Sequence, residues 1–194
     1  MTRTTKILLA IGAVCAIGCC GVVAVVGYAG MKIGKGVDLS PAGAHKTASE
    51  IADYTLPEGY SEQMGMAILG MKMALIGQGD IKTSAGTSMS IALIELPGDA
   101  NGANAASDAI KDSASQQMGG RVKDAHTVDE RDVTIRGESA TLTISEGSGS
   151  GGATMRQATA QFTAKSGHAA MLMAMGPSES WDQAALDAFI ASMK

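Results

Sequence analysis

The chain begins with an unbroken apolar run. Ile7 to Met31 contains no charged side chain, and Lys6 and Lys32 lie directly on either side of it. A helix of this length would measure roughly 37 Å, which is enough to cross a hydrocarbon core of about 30 Å. The run therefore predicts a transmembrane helix that contacts membrane lipid.

Two other interpretations of this run remain open. Gly27-Tyr28-Ala29 could be the cleavage site of a signal peptide, although the apolar region of such a peptide is usually about 7–15 residues long. Cys19, which follows Ala16-Ile17-Gly18, could instead carry a lipid. A short tail before an uncleaved apolar run is the usual arrangement of a signal anchor. We therefore expect residues 1–6 in the cytoplasm and everything after the helix outside it.

Small side chains recur every four residues along the run, and this spacing lets two helix backbones approach closely. It supports the hypothesis of a homodimer, although small residues are also common in membrane helices without any such role. The positions are Gly12, Ala16, Cys20 and Ala24.

Beyond the run, the pattern predicts a stalk and then a folded domain. Residues 32–43 contain Gly, Pro and Lys and are typical of a flexible linker, so we place the domain at residues 44–194. His45 to Asp53 is compatible with a short helix. Pro57 and Gly59 indicate a turn after it.

Strand-like alternation dominates most of the domain. Residues 154–164 place alanines and Phe162 on one face and Gln or Thr on the other, whereas two further segments are apolar on both faces and so predict strands covered on both sides. The predicted strands are Met71–Leu75, Ser88–Leu96, Val122–Val128, Val133–Arg136, Ala140–Ser145, residues 154–164 and His168–Met175. Gly137 lies between two of them and predicts a hairpin.

Two segments change to the helical period. Residues 100–118 carry apolar residues three or four apart, and Gly119-Gly120 predicts where this helix stops. Ser180 followed by Gln183 fits a capping box that starts a C-terminal helix. The predicted inner stripe of that helix is Trp181, Ala185, Ala188, Phe189, Ser192 and Met193. The predicted fold class is therefore α+β, a mostly antiparallel sheet with a central and a C-terminal helix packed on it.

Composition narrows the class of protein. The 194 residues suit one domain plus a segment, and a net charge of -4 argues against a nucleic-acid binder. Cys15, Cys19 and Cys20 all lie in the apolar run, so the domain has no cysteine for a disulfide, a nucleophile or a metal site. The chain has 13 Met but only six aromatic residues, so we expect methionine to fill core positions.

Motifs for catalysis or cofactors are weak. Gly147 to Gly152 matches G-x-G-x-x-G by letters, but the next segment alternates like a strand, so we interpret it as a hairpin loop. His45, His126 and His168 are far apart and none belongs to a metal-binding pair. Asp124, Asp129, Glu130 and Asp132 surround Arg131 and are typical of a solvated edge. We predict no catalytic or cofactor-binding residue and no cofactor.

One weak alternative is a metal site. Met171, Met173 and Met175 fall on one strand face, and thioether sulfurs can bind Cu(I) outside the cytoplasm. His168 precedes them and could be a further ligand. Core packing competes with this reading, because strand alternation groups these side chains whatever their purpose.

The order of elements resembles the PsbP-type α/β/α sandwich. The resemblance covers about residues 50–194, and the chain is also similar to small single-span bacterial membrane proteins of unknown function. It implies a fold and a role as an assembly or binding module, and it transfers no functional residue. The residues that carry it are Tyr54-Thr-Leu-Pro-Glu-Gly-Tyr60, Val133-Thr-Ile-Arg-Gly-Glu-Ser-Ala140, Trp181 and Phe189-Ile-Ala-Ser-Met-Lys194.

We therefore expect a membrane-tethered, extracytoplasmic and non-enzymatic domain that binds another protein or supports envelope assembly. The alternative is an extracytoplasmic carrier of copper or a small ligand. An enzyme would require a cleft that brings His126 or His168 together with carboxylates distant in sequence.

Overall fold

The computed structural model describes residues 37–38, 40–68, 70–79, 88–97, 123–149 and 152–194. Its contacts divide the chain into two units, Met1–Val37 and Asp38–Lys194, and the description below concerns the second. Within the described residues, no helix has the length and apolar character needed to cross a membrane. The predicted span Ile7–Met31, its small-residue positions and the predicted helix 100–118 lie outside these residues.

The core of the fold is an antiparallel sheet. Its strand order is β1-β2-β3-β4-β8-β7-β6-β5, so β4 and β8 lie at the centre and β5 at one edge. β1 has only two residues, and the other seven strands form the main sheet. The strands are β1 Val37–Asp38, β2 Tyr60–Ile68, β3 Met71–Gln78, β4 Ser90–Glu95, β5 Lys123–Ile135, β6 Glu138–Ser148, β7 Thr154–Thr163 and β8 Ala169–Pro177.

The first helix, α1 (Pro41–Ile51), begins earlier than the predicted piece from His45. Ser40 accepts a hydrogen bond from the Gly43 backbone at 3.1 Å, and Pro41 occupies the first turn, where its missing N–H costs nothing. Gly65 of β2 allows this helix to lie close, because a Cβ there would be only 2.7 Å from the Gly43 carbonyl oxygen.

The second helix, α2 (Gln183–Ser192), confirms the predicted C-terminal helix but not its cap. Asp182 caps it by accepting from the Ala185 backbone at 2.9 Å, whereas Ser180 belongs to a 3₁₀ turn, Ser178–Ser180. The predicted inner stripe is wrong at Ala188, which is exposed. The residues that the helix buries are Ala185, Leu186, Phe189 and Ile190.

The two faces of the sheet carry different apolar side chains. The face that bears both helices contains Tyr60, Phe162 and Phe189 in its buried cluster, with Tyr54 and Trp181 packed against it. The opposite face, which we call the outer face, buries Ala92 and Ile94 of β4 and Leu96, which follows β4. Its remaining members are largely methionines, namely Met71, Met73, Met155, Met171, Met173 and Met175. Methionine is thus the main large side chain of the outer face, whereas the helix-bearing face combines aromatic residues with Met89 and Met193.

Hairpins connect the later strands as predicted. Arg136 and Gly137 both have positive φ angles, of 53° and 80°, and this suits the tight turn between β5 and β6. β6 and β7 are antiparallel neighbours, and Gly147 still belongs to β6, where it pairs with Met155 of β7. The antiparallel sheet and its C-terminal helix confirm the α+β class.

Candidate functional site

A carboxylate lies in the middle of the sheet. Glu95 ends the central strand β4, and with 1% of its surface exposed it is the one buried charged residue among those described. Its side chain shares the helix-bearing face with Ile91 and Leu93, which alternate with it along the strand. A buried charge is costly unless it is paired, so its partners decide what it can do.

Three side chains satisfy this carboxylate. Ser166 Oγ donates to Oε1 at 3.0 Å, and His168 Nδ1 lies 3.2 Å from the same oxygen. Lys72 Nζ donates to Oε2 at 3.4 Å, and the same ammonium lies 3.2 Å from Glu50 Oε2 of α1. We call Glu50, Lys72, Glu95, Ser166 and His168 the Glu95 cluster. It joins α1, β3, β4 and the turn before β8.

The charge on Lys72 is held by its neighbours. Burial alone would lower the pKa of Lys72, but the hydrogen bond to Glu50 and the charges of Glu95 and Glu50 outweigh it, so that the pKa is raised. Lys72 therefore remains an ammonium at neutral pH. It balances one of the two carboxylates that face it.

The arrangement differs from a hydrolytic triad. In such a triad the serine contacts one ring nitrogen of histidine and the acid contacts the other. Here Ser166 and His168 Nδ1 both contact the same oxygen of Glu95, and no contact between Ser166 Oγ and the second ring nitrogen is formed. The cluster instead fixes the turn before β8, which Lys165 also ties to Asp53 through a 2.8 Å ion pair.

Sequence reasoning missed Glu95, although a signal was present. It is the only charged residue in the apolar segment Ser88–Leu96, which was predicted as a strand covered on both sides. A charge inside such a strand must be buried and therefore paired. Its partners could not be read from the sequence, because Lys72 and His168 lie 23 and 73 residues away.

The structure groups the three predicted methionine ligands on one face but separates His168 from them. Met171, Met173 and Met175 are buried on the outer face with Ala92, Ile94 and Leu96. His168 contacts Glu95 on the helix-bearing face. Among the residues that the structure describes, no group of three or more His, Cys, Asp or Glu side chains could hold a metal ion.

The other two histidines also lie beside glutamates. His45 Nδ1 of α1 is 2.9 Å from Glu62 Oε1, and Tyr54 donates to the same oxygen at 2.9 Å. Burial would raise the pKa of Glu62, but the bonds from His45 and Tyr54 and from backbone outweigh it and lower the pKa. His126 of β5 is paired in register with Glu146 of β6. The structure thus gathers histidines with distant carboxylates, but at three separate places.

A shallow concavity of about 240 Å³ opens between β6 and β7. The residues that line it are Thr141, Thr143, Thr159, Ala160 and Gln161. The Thr and Gln side chains belong to the outer face, because the residues that alternate with them, such as Leu142 and Ala158, are buried under the helices. Sequence alternation predicted this division for β7.

The edge strand β5 is the most exposed strand described. Residues 124–130 are all exposed, and β5 pairs only with β6 among the described strands. Val128 is 42% exposed and is the one large hydrophobic residue in the described chain that is exposed to this degree. Irregular pairing near His126 and Asp129 interrupts the edge. Such irregularities and charges oppose indiscriminate strand pairing.

Comparison with known proteins gives a likeness of fold alone. No protein-family model and no curated protein matches the chain. A solved structure that it resembles is LpqN of Mycobacterium tuberculosis, with 13% identity and a TM-score of 0.35 over 74% of this chain and 82% of that chain. That protein is described as involved in cell envelope biogenesis.

Proposed function

We propose that this chain is a membrane-tethered, extracytoplasmic module that binds a partner protein and supports assembly in the cell envelope. The observation that supports binding of a partner protein is the edge strand β5, where Val128 exposes an apolar side chain among charged neighbours. An exposed edge with unpaired backbone groups can accept a further strand or loop of another protein.

The proposal includes a non-enzymatic role, and the Glu95 cluster supports it. Both oxygens of Glu95 are occupied by groups of the same chain, and Lys72 joins two carboxylates. A catalytic acid or base needs a free position facing its substrate. The contacts of this cluster instead act as a clamp, because they hold α1, β3, β4 and the turn before β8 together.

The charged residues around Val128 indicate the chemistry of the partner surface. Asp129 and Glu130 follow Val128, and Asp132 comes shortly after. Arg131 is occupied by ion pairs with Asp187 of α2 and with Asp129. A partner with an apolar contact beside basic side chains would complement this edge.

The test is site-specific photo-crosslinking of the full-length chain in intact membranes. A photoreactive residue replaces Val128 in one variant and Ser61, an exposed residue of β2, in the control. The proposal predicts an adduct with a distinct protein from position 128 that position 61 does not give. The same adducts from both positions, or an adduct only with a second copy of the chain, would contradict it.

A further inference from the structure

We propose that the part of the outer face formed by β2 and β3 rests on the lipid bilayer that holds the chain. The inference rests on the membrane tether of the proposed function and adds which surface of the domain the lipid contacts. Six large apolar side chains of these two strands are only partly buried, and we call them the β2–β3 strip. They are Met64, Met66, Ile68, Met71, Met73 and Leu75.

The direction of these side chains follows from the pairing of the two strands. Met73 and Leu75 pack against the buried cluster of the outer face, whereas Ile76, the next residue along β3, is buried with the helix-bearing cluster. Met66 pairs in register with Met73. Met64 pairs with Leu75, so both methionines of β2 share the outer face with their partners on β3.

The β2–β3 strip carries no charge. Glu62 is the charged residue of β2, and it lies 2.9 Å from His45 of α1 on the helix-bearing side. Lys72 is the charged residue of β3, and it lies 3.2 Å from Glu50 of α1. Both strands thus turn their charges toward the helices and leave the opposite side apolar. Such a surface suits contact with lipid and does not require an anionic headgroup.

The chain enters the folded domain beside this strip. β1 is the neighbour of β2 in the sheet. Gly43 has no room for a Cβ, because the Asp38 side chain of β1 lies against it. A Cβ on Gly65 would in turn be 2.7 Å from the Gly43 carbonyl oxygen. Asp38 therefore lies close to the middle of β2, where Gly65 separates Met64 from Met66.

The length of the tether keeps the strip near the membrane. The predicted span ends at Met31 and β1 begins at Val37, so only residues 32–36 connect them. A fully extended chain of this length reaches at most roughly 20 Å. The chain itself therefore holds a bilayer near the β1–β2 edge, at an effective concentration that a free partner does not match.

This contact leaves β5 available to the proposed partner protein. β1 and β5 form opposite edges of the sheet. Neighbouring strands are about 4.8 Å apart, so β2 and β5 are separated by roughly 30 Å. A domain that rests on β2 and β3 therefore presents Val128 away from the lipid.

The test places the full-length chain in phosphatidylcholine nanodiscs whose lipids include some with a gadolinium chelate on the headgroup. The ε-methyl groups of methionine carry ¹³C, and single substitutions of methionine by leucine assign their NMR signals. Gadolinium broadens the signals of nearby nuclei only. We expect it to remove the signals of Met64, Met66 and Met73. The signal of Met193, which is buried in the helix-bearing cluster, should remain.

Met64→Glu together with Met66→Glu places two charges on the β2–β3 strip and should restore the signal of Met73. An unshifted Met193 signal shows that this variant remains folded. Ala184→Glu together with Ala188→Glu is the matched control, because it adds the same charges at exposed positions of α2. In the control the signal of Met73 should stay lost.

The contact is overturned if the chain is retained in the nanodiscs and the signals of Met64 and Met66 persist. It is also overturned if gadolinium broadens Met193 equally. A change at Met64 and Met66 that occurs only when a nanodisc holds two chains would assign the strip to a second copy and overturn the contact with lipid. A chain that is not retained in nanodiscs would contradict the membrane tether itself and this contact with it.

Discussion

Single residues decide where charge can be tolerated in this domain. Glu95 remains in the core because Ser166, His168 and Lys72 together occupy both of its oxygens. Removing one partner from a buried charge network leaves the others unpaired, and such changes are among the most destabilising known. Because its partners lie in distant segments of the chain, Glu95 links those segments through one side chain.

Replacing Glu95 by Gln should lower the free energy of unfolding by about 2 kcal/mol, because the amide cannot match the charge-assisted bonds. Trp181 is the single Trp of the chain, and its fluorescence reports the unfolding. Glu58→Gln, in the exposed turn before β2, is the control and should change stability by less than about 0.5 kcal/mol. Equal effects of the two substitutions would show that the Glu95 cluster is not a clamp.

Glu62 predicts a pH dependence of stability. Its folded pKa lies below its ordinary value of 4.5, so its ionised form stabilises the fold above that pH. The contribution is lost as the pH falls through the lower, folded pKa. Glu62→Gln should therefore reduce the decline of stability between about pH 5 and 3, as measured by urea unfolding at each pH. If Glu62→Gln leaves the loss of stability between about pH 5 and 3 unchanged, the bonds from His45 and Tyr54 do not stabilise the ionised form of Glu62.

At the scale of elements, the sequence predicts those strands whose sides differ clearly in polarity. β7 alternates between Ala or Phe inside and Thr or Gln outside, and it was predicted almost to its ends. β2 was not predicted, because its pairing with β3 shifts between Glu62 and Met64 and Gly65 replaces an apolar side chain under α1. A bulge breaks the period on which strand prediction depends.

The start of α2 shows how local signals compete. Ser180 and Gln183 fit a capping box, but Asp182 lies nearer the helix and its carboxylate reaches the Ala185 backbone. Ser180 belongs instead to the 3₁₀ turn that follows Pro177. The capping pattern therefore located the helix correctly within two residues but assigned the wrong cap.

Asp182→Ala should lower the free energy of unfolding by about 1 kcal/mol, the usual cost of losing a helix cap. Ser180→Ala should cost less than Asp182→Ala, because the cap hydrogen bond from the Ala185 backbone goes to Asp182. Denaturant unfolding of both variants of the full-length chain makes the comparison. A larger loss of stability from Ser180→Ala than from Asp182→Ala would contradict the cap assigned to Asp182.

At the scale of the whole molecule, the two faces of the sheet have different roles. Helices cover the face with the aromatic residues and the Glu95 cluster, and this face stabilises the fold. The outer face combines methionines at β3, β7 and β8 with neutral hydroxyl and amide groups at β6 and β7. The edge strand β5 borders that neutral region and carries Val128. The candidate partner surface thus lies at the β5 edge of the sheet, whereas the Glu95 cluster lies at its centre.

The candidate surfaces were only partly predictable from the sequence. The mixed charges around Arg131 indicated a solvated edge, and the structure confirms that residues 124–130 are exposed. The juxtaposition of Glu130 with Thr143 could not be predicted, since it depends on the register of a hairpin with irregular pairing. The position of Glu95 within the cluster depends likewise on long-range contacts.

The most direct measurement compares partner recovery from two variants of the full-length chain after mild cross-linking in native membranes. Val128→Lys removes the exposed apolar contact. Ser61→Lys is the control, because it places the same charge on an exposed position of β2. Neither substitution should change the free energy of unfolding by more than about 0.5 kcal/mol. A binding role for β5 predicts that Val128→Lys lowers recovery of the partner protein roughly tenfold or more while Ser61→Lys leaves it unchanged. Equal recovery from both variants would contradict a partner-binding function of this edge.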